Sequence, residues 1–147
     1  MAVRVSLWFL LLSSLFVGLW AQLIPASFYQ HFPGLRWAWV SLDGPYNEHL
    51  LRDVGGLNLA LAVLTLLALL EPSPTLLRAT GLGTLVYQVP HAIYHAARLD
   101  LLPSTLQQTL QVFVLSLGIL ASLIILWGNY KTTSRKQRSV YGTHSST

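Results

Sequence analysis

The sequence predicts an all-α membrane protein, a bundle of four transmembrane helices with both termini cytoplasmic. Three observations carry that expectation. The 147 residues are 53% hydrophobic and only 10% charged, with a mean hydropathy of +0.54. Soluble domains are about 25% charged, so this chain has too little charge to cover a globular surface. Four apolar stretches each approach the ~20 residues that cross a bilayer core. Lysine and arginine are also divided unequally between alternate ends of those stretches, which sets an orientation.

Composition excludes several chemistries. Cysteine is absent, which removes disulfides, zinc–thiolate sites, iron–sulfur clusters and thiol nucleophiles. The net charge of +4 is not gathered into a patch on a polar domain. The basic residues sit at helix ends and in KTTSRKQR, so nucleic acid is not an expected partner. The length suits one bundle over residues 1–130, followed by a basic tail, 131–147.

The first helix is expected over about 5–22, after the basic start MAVR. A cleaved signal peptide is the rival reading, but the apolar run is long for one and Leu19 sits poorly before a cut after Ala21. Ser14, Gly18 and Gln22 give this helix a small and polar seam. The outer loop, 23–52, is long enough to carry structure or function. Its Phe28, Tyr29, Phe32, Trp37, Trp39 and Tyr46, with Trp20, form an aromatic belt, and the loop is expected to lie on the bilayer surface or to lid the bundle. The second helix covers about 53–70, with Glu48 to Asp53 extending it into the headgroups. In GPYNEHLLRDVGG, Gly44 and Pro45 make a turn, Asn47 is the cap and Glu48 suits the helix dipole. Gly55 and Gly56 permit close backbone approach.

EPSPTLLR is a tight inner turn whose prolines cannot continue the second helix. The third helix follows over about 75–98 and the fourth over about 105–129, with Ser104 as its cap after Pro103. Trp127 and Tyr130 mark the inner edge. The tail from Lys131 is polar, and disorder is expected there. With inward termini, the inner side carries Arg4, Arg78, Lys131, Arg135, Lys136 and Arg138, against Arg36, Arg52 and Arg98 outside.

The third helix holds the chemistry. In TLVYQVPHAIYHAARLD, helical geometry places Thr84, Gln88, His91, His95 and Arg98, with Thr80 before them, within an arc of roughly 80°. Ionisable groups at membrane depth are costly, so this stripe must face other helices or trapped water. Polar residues crowd the outer half: Asn58, Gln88, His91, His95, Arg98, Gln108 and Gln111, with Glu48, His49, Arg52 and Asp53 at the mouth. The inner half has little beyond Thr65, Thr80 and Ser122. The reading is a ligand pocket open outward and closed inward, which argues against a channel. A helix hairpin pivoting near Ser73 places Asn58 opposite Gln88, Gly55 opposite His91, Leu51 opposite His95 and Glu48 opposite Arg98. Glu48 or Asp53 is then expected to pair with Arg98.

His91 and His95, at i and i+4, present two imidazoles to one face, as a divalent metal would need. A third ligand would come from His49, Glu48 or Asp53. Haem is a further alternative, and no cofactor is assumed. HExxH is absent because Ala92 follows His91, and histidines held by hydrogen bonds or ion pairs are the leading expectation. Pro90 removes a backbone donor and is expected to kink the third helix. His31 and His144 read as solvated.

At LLRDVGGLNLALAVLTLLALL (Leu50 to Leu70) the chain resembles the DoxX-like group of small four-helix membrane proteins, in which a charged, glycine-rich approach leads into the second helix. The likeness extends to Trp127 when helix count and spacing are included. It implies a multi-pass protein of a bacterial plasma membrane and, because some members accompany membrane oxidoreductases or quinone-linked complexes, a redox-linked setting. It assigns no role to Gln88, His91 or His95. The leading reading is therefore an accessory or structural subunit of a membrane complex, with the lipid bilayer and a membrane-protein partner or a second copy as its contacts. The alternatives are a binding module for a small ligand, quinone, haem or metal, and a small membrane enzyme using His91 or His95 in acid–base catalysis. No triad is recognisable, and a non-enzymatic role is preferred.

Overall fold

In a computed structural model the chain is described over residues 1–142, with side chains through Asn129. Helix α1 (Ala2–Leu23) ends where Ile24 precedes Pro25, because a residue before proline is driven out of the helical region. Pro25 then opens α2 (Pro25–His31) at its first turn, where the missing N–H is no loss. A two-residue hairpin pairs β1 (Pro33–Gly34) with β2 (Trp37–Ala38) in antiparallel register, Pro33 opposite Ala38 and Gly34 opposite Trp37. Its loop residues Leu35 and Arg36 both have positive φ, 57° and 65°. That is the sense a tight two-residue hairpin loop demands. A short α3 (Trp39–Asp43) follows. The outer loop is thus a small folded unit.

Helix α4 (Glu48–Leu70) includes the Glu48 to Asp53 extension and is capped by Asn47 as expected, its side chain accepting from the Leu50 amide at 3.1 Å. Helix α5 (Pro74–Ala96) begins on Ser73, whose hydroxyl accepts from Leu76 at 3.2 Å, and runs unbroken through Pro90. It ends before Arg98, so the polar stripe loses its last member to the connection. A 3-10 turn over Leu99–Leu101 leads to α6 (Thr105–Gly142). The backbone stays helical past Lys131, where disorder was expected. KTTSRKQR holds no proline or glycine, and Lys, Arg and Gln are good helix formers. His144 lies outside the described residues.

The four long helices form a ring. α1 packs along α4 and α5 along α6, while the α1–α6 and α4–α5 seams are looser. Three of them, Ala2–Leu23, Glu48–Leu70 and the Thr105–Asn129 part of α6, are long and apolar enough to cross a membrane. α5 is as long but carries the polar stripe. Glycine sets the tight seams. A Cβ on Gly55 would lie 2.7 Å from the Gln22 backbone nitrogen, and one on Gly18 would lie 2.9 Å from Leu59. Gly56 faces open space, contrary to the expected pair of close approaches. Gly55 therefore meets α1, and not His91 as the hairpin register had it.

Two apolar clusters close the ends. Leu7, Leu10, Ala68, Ala121 and Ile125 fill the end nearest the N-terminus. Ala21, Phe28 and Leu51, with Trp20, Phe32 and Val40 against them, join the loop unit to the bundle. Beside the first cluster, buried hydroxyls satisfy one another. Thr84 Oγ1 lies 2.8 Å from Ser122 Oγ, and Thr80 and Ser122 each donate to the carbonyl four residues back.

Candidate functional site

Between these two clusters lies a cavity of about 630 Å³. All four long helices line it, and Phe28, Tyr29, Phe32, Trp39, Val40 and Asp43 roof it. Tyr29 donates to the Gly44 carbonyl at 2.8 Å, Trp39 Nε1 to Gln107 Oε1 at 2.9 Å, and Trp20 Nε1 to Ser27 at 3.2 Å. The roof is therefore tied to α1, to α6 and to the approach to α4.

Five of the eleven residues singled out from the sequence line this space: Asn58, Gln88, His91, His95 and Gln111. Asn58 donates to the Val54 carbonyl at 2.9 Å and to Tyr87 Oη at 3.3 Å. Its partner on α5 is one residue from the position the hairpin pivot assigns. Tyr87 stacks on His91 with centroids 5.3 Å apart, and His91 meets His95 edge to face at 4.6 Å. Gln111 Nε2 donates to His95 Nδ1 at 3.4 Å, in the tautomer that leaves Nδ1 unprotonated. Asp43 Oδ2 lies 3.9 Å from the same nitrogen. A Cβ on Gly118 would fall 2.8 Å from the Gln88 amide nitrogen, so the glycine makes room for that side chain. Gln88, His91 and Ser14 make no hydrogen bond to another side chain or to the backbone among the described residues, and all three face the cavity.

The other six lie elsewhere. Glu48, His49, Arg52 and Asp53 are exposed on the first turns of α4. Arg52 reaches Glu48 at 2.8 Å and donates to the Gln22 carbonyl, and His49 lies 3.4 Å from Asp53. Beside them Tyr46 donates to Glu48 at 3.4 Å, and its pKa is raised by desolvation and by that carboxylate. Arg98 sits over the Tyr94 ring, 5.8 Å from its centroid. The expected pairing of Glu48 or Asp53 with Arg98 is thus replaced: helical i, i+4 neighbours satisfy the acids first. Gln108 turns back to the Leu102 carbonyl at 3.3 Å. Because His49, Glu48 and Asp53 face away from the cavity, the expected third metal ligand is missing. Among the described residues no group of three His, Asp or Glu is placed to hold an ion. His31 is exposed and bonds locally to the Ser27 carbonyl.

Asp43, Tyr87 and Tyr94 line the cavity without having been singled out, and Trp39, expected in the aromatic belt, lines it too. Tyr87 and Tyr94 flank the polar stripe in sequence. Asp43, an acid inside an aromatic-rich loop, was the available signal for the roof.

A second, shallower groove of about 430 Å³ runs along the loose α4–α5 seam. Tyr87 and His91 line both spaces, so their stacked rings form the partition between them.

Comparison of the chain with protein-family models, with curated proteins and with solved structures returned no match.

Proposed function

We propose that this chain is a four-span plasma-membrane protein with cytoplasmic termini that binds a small amphipathic molecule in the roofed cavity. α5 is the fourth span in this reading, shielded from lipid on its polar face by α4 and α6. The supporting observation is that Gln88, His91 and Ser14, with no hydrogen-bonding partner among the described residues, project into a largely apolar chamber that Asn58, His95, Gln111 and Asp43 also line. Polar groups turned away from lipid and left without a protein partner are costly unless something else meets them. A large apolar pocket with a few convergent polar groups is the usual form of a small-molecule site. The groove on the α4–α5 seam supplies a route from the acyl chains to the Tyr87–His91 partition.

Solvent extraction of full-length protein purified from its own membranes, followed by mass spectrometry, tests this. A small molecule should accompany the wild type near stoichiometrically and be depleted at least tenfold in Gln88→Leu/His91→Leu. The same lipid background from both proteins would remove the reading.

The resemblance at Leu50 to Leu70 supports a second proposal, a DoxX-like accessory subunit of a bacterial, redox-linked membrane complex. Co-purification of a stoichiometric membrane partner under mild detergent would favour it. A lone protein after cross-linking in intact membranes would count against it.

A further inference from the structure

We infer that the cavity selects an organic monocation, an amine or quaternary ammonium borne on an apolar body, with Asp43 as its counter-ion. The inference rests on the reading of the cavity as a binding site and concerns what that site takes.

The charge inventory comes first. Of the residues lining the cavity, Asp43 is the one carboxylate, and neither lysine nor arginine is among them. Arg52 is engaged with Glu48 and the Gln22 carbonyl, and Arg98 lies over Tyr94, while Arg36, the arginine nearest Asp43 in sequence, is exposed on the hairpin loop and does not line the cavity. Asp43 is 28% exposed, so it is largely withdrawn from water while remaining reachable from the loop end. Among the described residues its side chain makes no hydrogen bond, and its one ion-pair contact within 4 Å is His95 Nδ1 at 3.9 Å. That is too long for a hydrogen bond. A carboxylate in a partly desolvated wall, with no hydrogen-bond donor among the described residues and an imidazole at 3.9 Å as its ion-pair neighbour, draws positive charge.

The aromatic inventory points the same way. Phe28 and Phe32 lie 4.7 Å apart by centroid, and Trp39 stands edge-on to Phe32 at 6.5 Å. Trp39 is itself held by the stack with Trp37 at 5.7 Å and by its bond to Gln107. Ring faces attract cations, and rings arranged around an anion are the common receptor for quaternary ammonium groups. An anionic ligand would meet Asp43 with no cation to offset it. A neutral ligand would leave the carboxylate unanswered. Gln88 and His91 remain to receive whatever neutral polar group the apolar body carries.

The test uses full-length protein in nanodiscs and equilibrium dialysis with three probes of similar size: benzyltrimethylammonium, benzamide and benzenesulfonate. The cation should be retained at least tenfold more strongly than the sulfonate. Asp43→Asn, nearly isosteric, should lose that preference about tenfold while leaving benzamide retention unchanged, which also shows that the variant is folded. Trp39→Leu should weaken cation retention several-fold. Equal retention of cation and sulfonate, or a cation preference that survives Asp43→Asn, would overturn the inference and leave the cavity as a neutral binding site. If Asp43→Asn lowers thermal stability without altering cation retention, Asp43 is a roof latch to His95 and the inference fails. Retention of none of the three probes would overturn this inference, while the copurifying molecule separately decides the broader reading.

Discussion

In the proposed four-span reading the two histidines of α5 lie at membrane depth, where an imidazole needs polar company, and they find it unequally. His95 has Gln111 and Asp43, whereas among the described residues His91 has only the rings of Tyr87 and His95. His95→Leu should therefore lower the thermal midpoint more than His91→Leu does, as read from thermal scans in one detergent. The first breaks a contact between elements, and the second exchanges ring stacking on Tyr87 for aliphatic packing. The mouth charges make a complementary prediction. Glu48 and Arg52 are an exposed i, i+4 pair, so a double-mutant cycle between them should give ~0–1 kcal/mol. The corresponding cycle for Glu48 and Arg98 should give no coupling. Deeper in, Thr84→Val removes the contact with Ser122 but leaves Ser122 bonded to Gly118. It should cost ~0.6 kcal/mol, the average for such bonds between membrane helices. At this scale the placement of Asn58, Gln88, His91, His95 and Gln111 was legible, because a polar side chain inside an apolar helix has few places to go. Glu48 through Asp53 misled because helix ends at an interface are wet whichever way they face. Asp43 was missed because an acid in a loop is ordinary until the loop folds back over the bundle.

The seams between helices are set by single glycines, and neighbouring glycines are not equivalent. Gly55→Leu should force α1 and α4 apart and cost ~1–3 kcal/mol by overpacking, since even a Cβ would press on the Gln22 backbone. Gly56→Leu, next to it but facing open space, should stay within about 0.5 kcal/mol. Chemical or thermal unfolding in one detergent measures both. The hairpin of the roof offers a gain. Leu35 and Arg36 hold positive φ, at a cost of roughly 1–2 kcal/mol per residue for a side chain with a Cβ. Replacing them by Asn-Gly should stabilise the roof by ~1 kcal/mol or more, seen as slower proteolysis between His31 and Asp43. This scale also explains what the sequence did and did not disclose. The apolar runs and the caps at Asn47 and Ser73 read directly, because composition and local hydrogen bonding determine them. The roof did not. Its hairpin lacks the usual Asn-Gly signal, and α2 and α3 are held by Phe28, Tyr29 and Trp39 reaching distant partners.

The whole molecule is closed at one end by the Leu10–Ile125 cluster and chambered at the other. Under the proposed orientation the chamber faces outward. Pro45→Cys, in the exposed turn before α4, should react with an impermeant thiol reagent on intact cells. Ala2→Cys should react only after permeabilisation, and the reverse pattern would invert the molecule. The proposed orientation rests on positive charge and aromatic belts, which mark membrane sides independently of packing. The seam order was only partly legible in the sequence. The turn at Ser73 fixes α4 against α5 near their shared turn, where Thr80 reaches the Leu64 carbonyl at 3.5 Å. It cannot foretell that the two helices part towards the roof, because that divergence depends on the third and fourth partners each helix acquires.

The ring of helices consists of two halves, each a pair of consecutive long helices in firm contact, α1 with α4 and α5 with α6. For biogenesis this means each half can settle in the lipid as soon as its second helix leaves the ribosome, before the other half exists. The chamber is then a product of late docking, with Ser14 and Asn58 brought by the first half and Gln88, His95 and Gln111 by the second. A gene divided in the Glu71 to Ser73 turn, encoding 1–72 and 73–147 on separate messages, should still yield a complex that purifies through a tag on either piece. Pieces that are degraded unless covalently joined would show instead that the halves have no independent existence.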